Sequence, residues 1–118
     1  MSIRWVEHRG RRILYHDMRN LSGKEAIESI ELLGSEVAAS PTRVLVLSNF
    51  EGASASRDWM SHAKKLGKGV FAAKVEKGAT VGVSGVQGVL LEGYEVFTGR
   101  SVKNFKTEAQ ALDWLAKD

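Results

Sequence analysis

The sequence predicts an α/β fold: a single domain over residues 1–118, with about five strands in a mostly parallel mixed sheet and four helices, in the order ββαβαβαβα. Three observations predict it. Apolar runs of strand length alternate with segments of helical periodicity, the rhythm of a parallel sheet covered by helices. Residues 44–47 read Val-Leu-Val-Leu with no polar interruption, which marks a strand covered on both faces. Residues 77–117 read strand, Ser-Gly, helix, Thr-Gly, strand, helix, with almost nothing between them.

The elements follow in order. Residues 3–7 and 12–19 form a β-hairpin around Arg9-Gly10, and the sheet gains its antiparallel edge from it. Period-two alternation puts Ile13 and Tyr15 on one face and Leu14, His16 and Met18 on the other. Residues 22–39 read as helix. Ser22 and Glu25 have the spacing of a capping box, in which hydroxyl and carboxylate each satisfy a backbone N–H. Ala26, Ile30, Leu33 and Val37 form its apolar stripe, and Pro41 ends it. Residues 43–49 are the central strand, followed by a loop over 48–53. A second helix runs from about 54 to 72 with Trp59, Ala63, Leu66 and Val70 at helical spacing, and Gly67 and Gly69 blur its end.

Residues 80–83 are the fourth strand. Ser84 with Gln87 opens a third helix carrying Val86, Val89, Leu90, Tyr94 and Phe97, with Gly99 placed for a left-handed C-terminal cap. Residues 101–105 form a short fifth strand. Thr107 with Gln110 opens the last helix, whose Ala111, Leu112 and Leu115 face inward. The second helix lacks a capping box. Its start carries Ser54 and Ser56 with no Glu or Gln three residues on. A helix start after the central strand favours anions and acceptors, and it lies where parallel sheets hold ligands. A serine there also serves simply as a cap.

Composition excludes several chemistries. With no cysteine, disulfides and thiolate metal sites are ruled out. No apolar stretch follows Met1 and no run approaches the roughly 20 apolar residues of a membrane span, so neither a secretory leader nor a span is expected and the location reads as cytoplasmic. The net charge is +3. Arg4, Arg9, Arg11 and Arg12 crowd the hairpin, and Lys64, Lys65 and Lys68 close the second helix. No basic run is interleaved with stacking aromatics, so nucleic acid is not the expected partner.

The catalytic motifs fail on their spacing. Residues 82–88, Gly-Val-Ser-Gly-Val-Gln-Gly, put Ser84 where a dinucleotide loop needs its second glycine, and Val86 where a nucleophile elbow needs glycine. His8, His16 and His62 have no metal-ligand spacing and read as surface or half-buried histidines, His62 within reach of Asp58 four residues earlier. Asp17, Glu51, Asp58 and Glu92 form no pattern that demands acid–base work. The aromatics Trp5, Trp59, Trp114, Tyr94 and Phe97 fit either a core or the lining of an apolar cavity. Trp114, opposite Leu112 on the last helix, is a candidate homodimer contact.

The last third of the chain, Gly78-Ala-Thr-Val-Gly-Val-Ser-Gly, Tyr94, Phe97-Thr-Gly, Phe105 and Thr107-Glu-Ala-Gln-Ala-Leu-Asp-Trp-Leu115, resembles the small stand-alone bacterial STAS-like (SpoIIAA-like) proteins, which are similar to anti-sigma-factor antagonists and are also likened to lipid-transfer domains. The resemblance implies helices on a mixed sheet, no enzyme activity and no cofactor. In phosphorylation-switched members the acceptor is a Ser or Thr at the start of the second helix, in an Asp-Ser-Ser-Gly-like turn. Here that region reads Phe50-Glu-Gly-Ala-Ser54-Ala-Ser56; the position is kept and the motif is not.

Two expectations follow. The first is a non-enzymatic regulatory or binding domain that engages a protein partner or small ligand through Glu51, Ser54, Ser56 and Arg57. The second is a carrier of a lipid or other apolar ligand in a sheet–helix cavity lined by Trp59, Met60, Leu66 and Phe71. Neither involves catalytic residues, a metal or a cofactor.

Overall fold

Five strands lie side by side in chain order in one sheet. The computed structural model describes residues 2–83, 88, 94, 95 and 102–117. β1 (Ile3–His8) and β2 (Arg11–Asp17) form the antiparallel hairpin. Arg9 and Gly10 in its turn have φ of 50° and 78°, the left-handed pair whose twist matches the strands it joins. β2 pairs parallel with β3 (Val44–Asn49), β3 with β4 (Val75–Val81), and β4 with β5 (Lys103–Phe105). The sheet is therefore mixed and mainly parallel, and only β1 is antiparallel to its neighbour.

α1 (Gly23–Ala39) and α2 (Arg57–Leu66) pack on one face, and α3 (Glu108–Ala116) on the other. Strand alternation feeds both sides. Leu14, Met18, Val44 and Val46 meet Ala26, Ile30, Leu33 and Val37 of α1. Ile13, Tyr15, Leu45 and Leu47 meet Ala111 and Leu115 of α3. β3 lies in the middle with all six residues buried, as its unbroken apolar run requires.

Several boundaries differ from the sequence expectation. α2 starts at Arg57, and Ser56 is its N-cap, accepting from the Trp59 N–H at 3.0 Å. At its other end the helix does not stop at the glycines. It continues through a π-helical turn, Gly67–Phe71, into a last turn at Ala72–Lys74. A π turn takes up extra residues, so the buried positions step by four, through Trp59, Ala63, Gly67 and Phe71. Leu66 and Val70, expected on the buried stripe, are only half-buried. β4 begins at Val75, well before the expected 80, because Glu76, Lys77 and Gly78 hid its first half. Ser22 occupies the N-cap of α1 but its hydroxyl makes no capping bond; Gly23 enters the helix with φ 54°, which does not aim the hydroxyl at the third N–H. Thr107 does cap α3, accepting from Gln110 N–H at 3.2 Å. Among the described residues there are three helical bodies. The expected third helix, with its Ser84–Gln87 cap, Gly85, Glu92 and Gly99, lies outside the described residues, apart from Gly88, Tyr94 and Glu95.

The arginines of the hairpin are used within the molecule. Arg4 lies 4.4 Å from the centre of the Tyr15 ring and Arg12 4.3 Å from Trp5. Arg9 pairs with Asp113 at 3.2 Å and Arg11 with Glu76 at 3.7 Å. No helix among the described residues is long and apolar enough to cross a membrane.

Candidate functional site: a polar row beside an apolar cavity

The parallel register sets polar residues side by side near the C-terminal ends of the strands. His16 of β2 stands opposite Ser48 of β3, Ser48 opposite Thr80 of β4, and Thr80 opposite Asn104 of β5. Alternation points the first three toward α1 and α2, because their strand neighbours Tyr15, Leu47, Ala79 and Val81 belong to the core under α3. His16 is fully buried, and Ser48 and Thr80 are nearly so. Buried polar groups need partners, and these have them. His16 Nδ1 lies 3.0 Å from Ser48 Oγ and His16 Nε2 lies 2.9 Å from Ser29 Oγ of α1. Thr80 Oγ1 donates to Asn104 Oδ1 at 3.0 Å. Burial pushes the His16 imidazole down from its ordinary 6.5 to about 3, against a small upward pull from Asp17.

Beside this row, between the sheet and α2, lies a cavity of about 110 Å³. Its walls are mostly apolar, with Ser48, Thr80 and Tyr94 the hydroxyl-bearing residues: Val46 and Phe50 come from β3 and the residue after it, Trp59, Met60, Ala63 and Phe71 from the long helix, and Val83, Tyr94 and Val102 stand at its far side. Phe50 stands edge-on to Trp59 at 5.7 Å and to His16 at 6.3 Å, so the aromatics bind the row to the helix. Trp59 is 6% exposed, and its Nε1–H is buried with no hydrogen-bond partner. Among the described residues no charged side chain stands in the wall.

Three of the four residues expected to line an apolar site are there: Trp59, Met60 and Phe71. Leu66 is not. Its methyl groups pack on Gly34 of α1, where a Cβ would come within 2.7 Å of them. Of the expected exterior surface, Glu51, Ser54, Ser56 and Arg57 are all exposed, and Ala55, between the two serines, reaches the cavity wall. Gly82 holds that loop against the sheet. It has φ 78°, and a Cβ would meet the Glu51 N at 2.5 Å, so the end of β4 and the start of the loop touch backbone to backbone. The Phe50 N–H to Val81 carbonyl bond at 2.8 Å fixes the same approach.

His8 and His62 are half-buried, as expected, and His16 is the exception. His16 is fully buried rather than surface or half-buried, held by two serines. His62 pairs with Glu31 of α1 at 3.4 Å, not with Asp58. His8 bonds Asp113 at 2.7 Å. Trp114 is half-buried against Phe105, ring centres 5.6 Å apart, with Lys77 and Lys103 over it. On the α3 face a second polar cluster is closed. Tyr15 Oη donates to Glu108 Oε2 at 2.5 Å and Asn49 Nδ2 donates to the same oxygen at 2.7 Å. Burial, then the Glu108 carboxylate, pushes the Tyr15 hydroxyl up to about 12.

The residues that sequence reading missed are the row itself. The signal was present: a polar residue at one level of successive apolar strands, His16 after Leu14-Tyr15, Ser48 after Val46-Leu47, Thr80 after Gly78-Ala79. It becomes legible only once the register is known.

No family model matches the chain, and no curated protein matches it. The fold is nevertheless that of a known class of proteins. A crystal structure of an uncharacterised protein from the DUF3478 family with a SpoIIAA-like fold, from Shewanella loihica PV-4, superposes with a TM-score of 0.72 at 21% identity, covering 98% of this chain and 93% of that one. The chain has a SpoIIAA-like fold, as the resemblance of its last third implied.

Proposed function

We propose that this chain is a non-enzymatic STAS-like binding domain that holds a small apolar molecule in the cavity between α2 and the sheet. The observation that carries the reading is the cavity: about 110 Å³, mostly apolar, at the C-terminal ends of parallel strands. Removing apolar surface from water there supplies the affinity, at about 25 cal/mol per Å² buried. Catalysis is disfavoured by the same wall. Its described residues include no carboxylate, amine or imidazole, and the His16 behind it stays neutral with a pKa near 3, too weak a base at neutral pH. Native mass spectrometry of gently purified protein, together with titration of a small apolar probe such as toluene, tests the reading. The parent is expected to carry or take up one such molecule. Ala63→Leu, which adds three carbons to the wall, is expected to abolish uptake. The reading fails if the protein purifies empty and takes up no apolar probe.

A second reading concerns the rim. Ser54 and Ser56 are exposed while Ala55 between them touches the cavity. A protein partner bound across Glu51, Ser54, Ser56 and Arg57 would therefore sit directly over the ligand and sense whether the cavity is filled. Phosphorylation of Ser54 would add about −1.5 to −2 charge to that surface.

A further inference from the structure

We propose that the ligand is neutral and carries a hydroxyl: a small alcohol or phenol whose O–H sits on the polar row and whose hydrocarbon part fills the cavity. The inference rests on the cavity reading above and narrows it to one chemistry.

The hydrogens along the row are fixed by its partners. Ser29 Oγ donates its one hydrogen to Ser2 Oγ at 3.0 Å. Toward His16 Nε2, at 2.9 Å, Ser29 must then accept, so the ring proton is on Nε2. A neutral imidazole has a single N–H, and Nδ1 is left bare. The 3.0 Å contact to Ser48 is therefore a bond that Ser48 Oγ–H donates. Thr80 likewise donates its hydrogen to Asn104. The Ser48 and Thr80 hydroxyls in the cavity wall thus have their hydrogens turned into the row, and both offer only lone pairs to a ligand. Trp59 Nε1–H is buried without an acceptor and adds no reachable donor to the wall.

Two acceptor hydroxyls in an otherwise apolar wall select their guest. A hydrocarbon satisfies neither. A ketone or ether has no hydrogen to give and leaves both oxygens unmet. A carboxylate is acceptor-only and charged, and no cation stands among the described wall residues. An ammonium has no carboxylate there to meet it. A hydroxyl group both donates and accepts, and it is neutral. The size agrees with a single ring or a short chain, since a dry engineered cavity of roughly 150 Å³ holds benzene.

The test compares p-cresol, toluene and benzoate, which share a ring and differ in the group presented. Binding is read by isothermal titration calorimetry at neutral pH. An apolar cavity prefers toluene, because burying an unpaired hydroxyl is unfavourable. Here p-cresol is expected to bind at least fivefold more tightly than toluene, and benzoate not measurably. Ser48→Ala is expected to erase that preference. Because it also leaves His16 Nδ1 unpaired, Thr80→Val reads the same preference without disturbing the histidine, and it is expected to reduce it while changing toluene affinity less than twofold. Toluene binding as tightly as p-cresol, benzoate binding as tightly as p-cresol, or a preference untouched by both substitutions overturns the hydroxyl inference and leaves the apolar-cavity reading standing. Binding of none of the three overturns both.

Discussion

The two faces of this sheet are built from the same kinds of residue and closed in different ways. Under α3, Ile13, Leu47, Ala111 and Leu115 are completely buried, and the polar groups at the edge finish their bonds on one another, with Tyr15 and Asn49 both donating to Glu108. Under α1 and α2 the core is as apolar, yet a cavity remains and the buried Trp59 indole N–H has no acceptor. A single sheet therefore separates a face that is filled and satisfied from one that is neither. Packing that stops short of filling a core gives up stability, and such departures gather where a protein binds.

The largest expected effect sharpens that contrast. Leu115→Ala on the filled face removes a fully buried side chain with no space to relax into, and is expected to cost about 2–5 kcal/mol. Met60→Ala removes a comparable volume from the cavity wall. Met60 already faces a void on one side, so its lost contacts are fewer, and a cost below about 2 kcal/mol is expected. Urea unfolding of the two variants checks this. Equal costs would mean that the two faces are packed alike.

The polar row gives the α1/α2 face a pH signature that the other face lacks. His16 has its folded-state pKa lowered to about 3 by burial, against an ordinary 6.5. Between those values the unfolded chain binds a proton that the native chain refuses, so stability rises with pH across this window and is unaffected above it. On acidification from neutrality the loss runs at about 1.4 kcal/mol per pH unit below 6.5, reaching about 2 kcal/mol at pH 5. Asp17 and Asp113 do not imitate this. Hydrogen bonds from Arg19 and from His8 lower their pKa values, so the stability they contribute is lost only as pH falls through values below the ordinary carboxylate range. His16→Gln keeps an amide for the two serines and removes the titration. Urea midpoints measured from pH 7 to pH 4.5 are expected to fall less steeply in the variant, by the slope of one proton. Parallel curves would show that His16 accepts its proton in the folded state.

How much of this was readable in the sequence divides along the same line. The filled face was legible almost completely: alternation in 13–18, the unbroken run at 44–47 and the apolar positions 111 and 115 each fix a burial that does not depend on a neighbour's exact position. The order of strands and helices along the chain followed from the same local patterns, and the SpoIIAA-like fold from the family resemblance of the last third. The face with the cavity was legible only in outline. Trp59, Met60 and Phe71 were recognisable as cavity material, but Leu66 was misplaced, because it packs on Gly34 of α1, a contact between two helices that periodicity within one does not encode. The row of His16, Ser48, Thr80 and Asn104 depends on parallel register, a relation between residues 24 to 32 positions apart that no local pattern encodes.

The smallest effect concerns the rim, where two serines two residues apart serve different ends. Ser56 accepts from the Trp59 N–H at 3.0 Å and so holds the first turn of α2, and with it the wall residue Trp59. Ser54 contributes only its backbone, an N–H donated to the Leu21 carbonyl at 2.9 Å, while its side chain is exposed. Ser56→Ala is therefore expected to cost about 1 kcal/mol, the usual value of an N-cap. Ser54→Ala is expected to change stability by less than about 0.5 kcal/mol. If a partner sits across this rim, Ser54→Glu should weaken its capture by the folded protein while leaving the urea midpoint in place, because charge is added where no packing is lost. Ser56→Glu should shift both. A partner indifferent to charge at Ser54 would confine the working surface to the cavity, and the contrast between the two faces of the sheet would then account for binding without the rim.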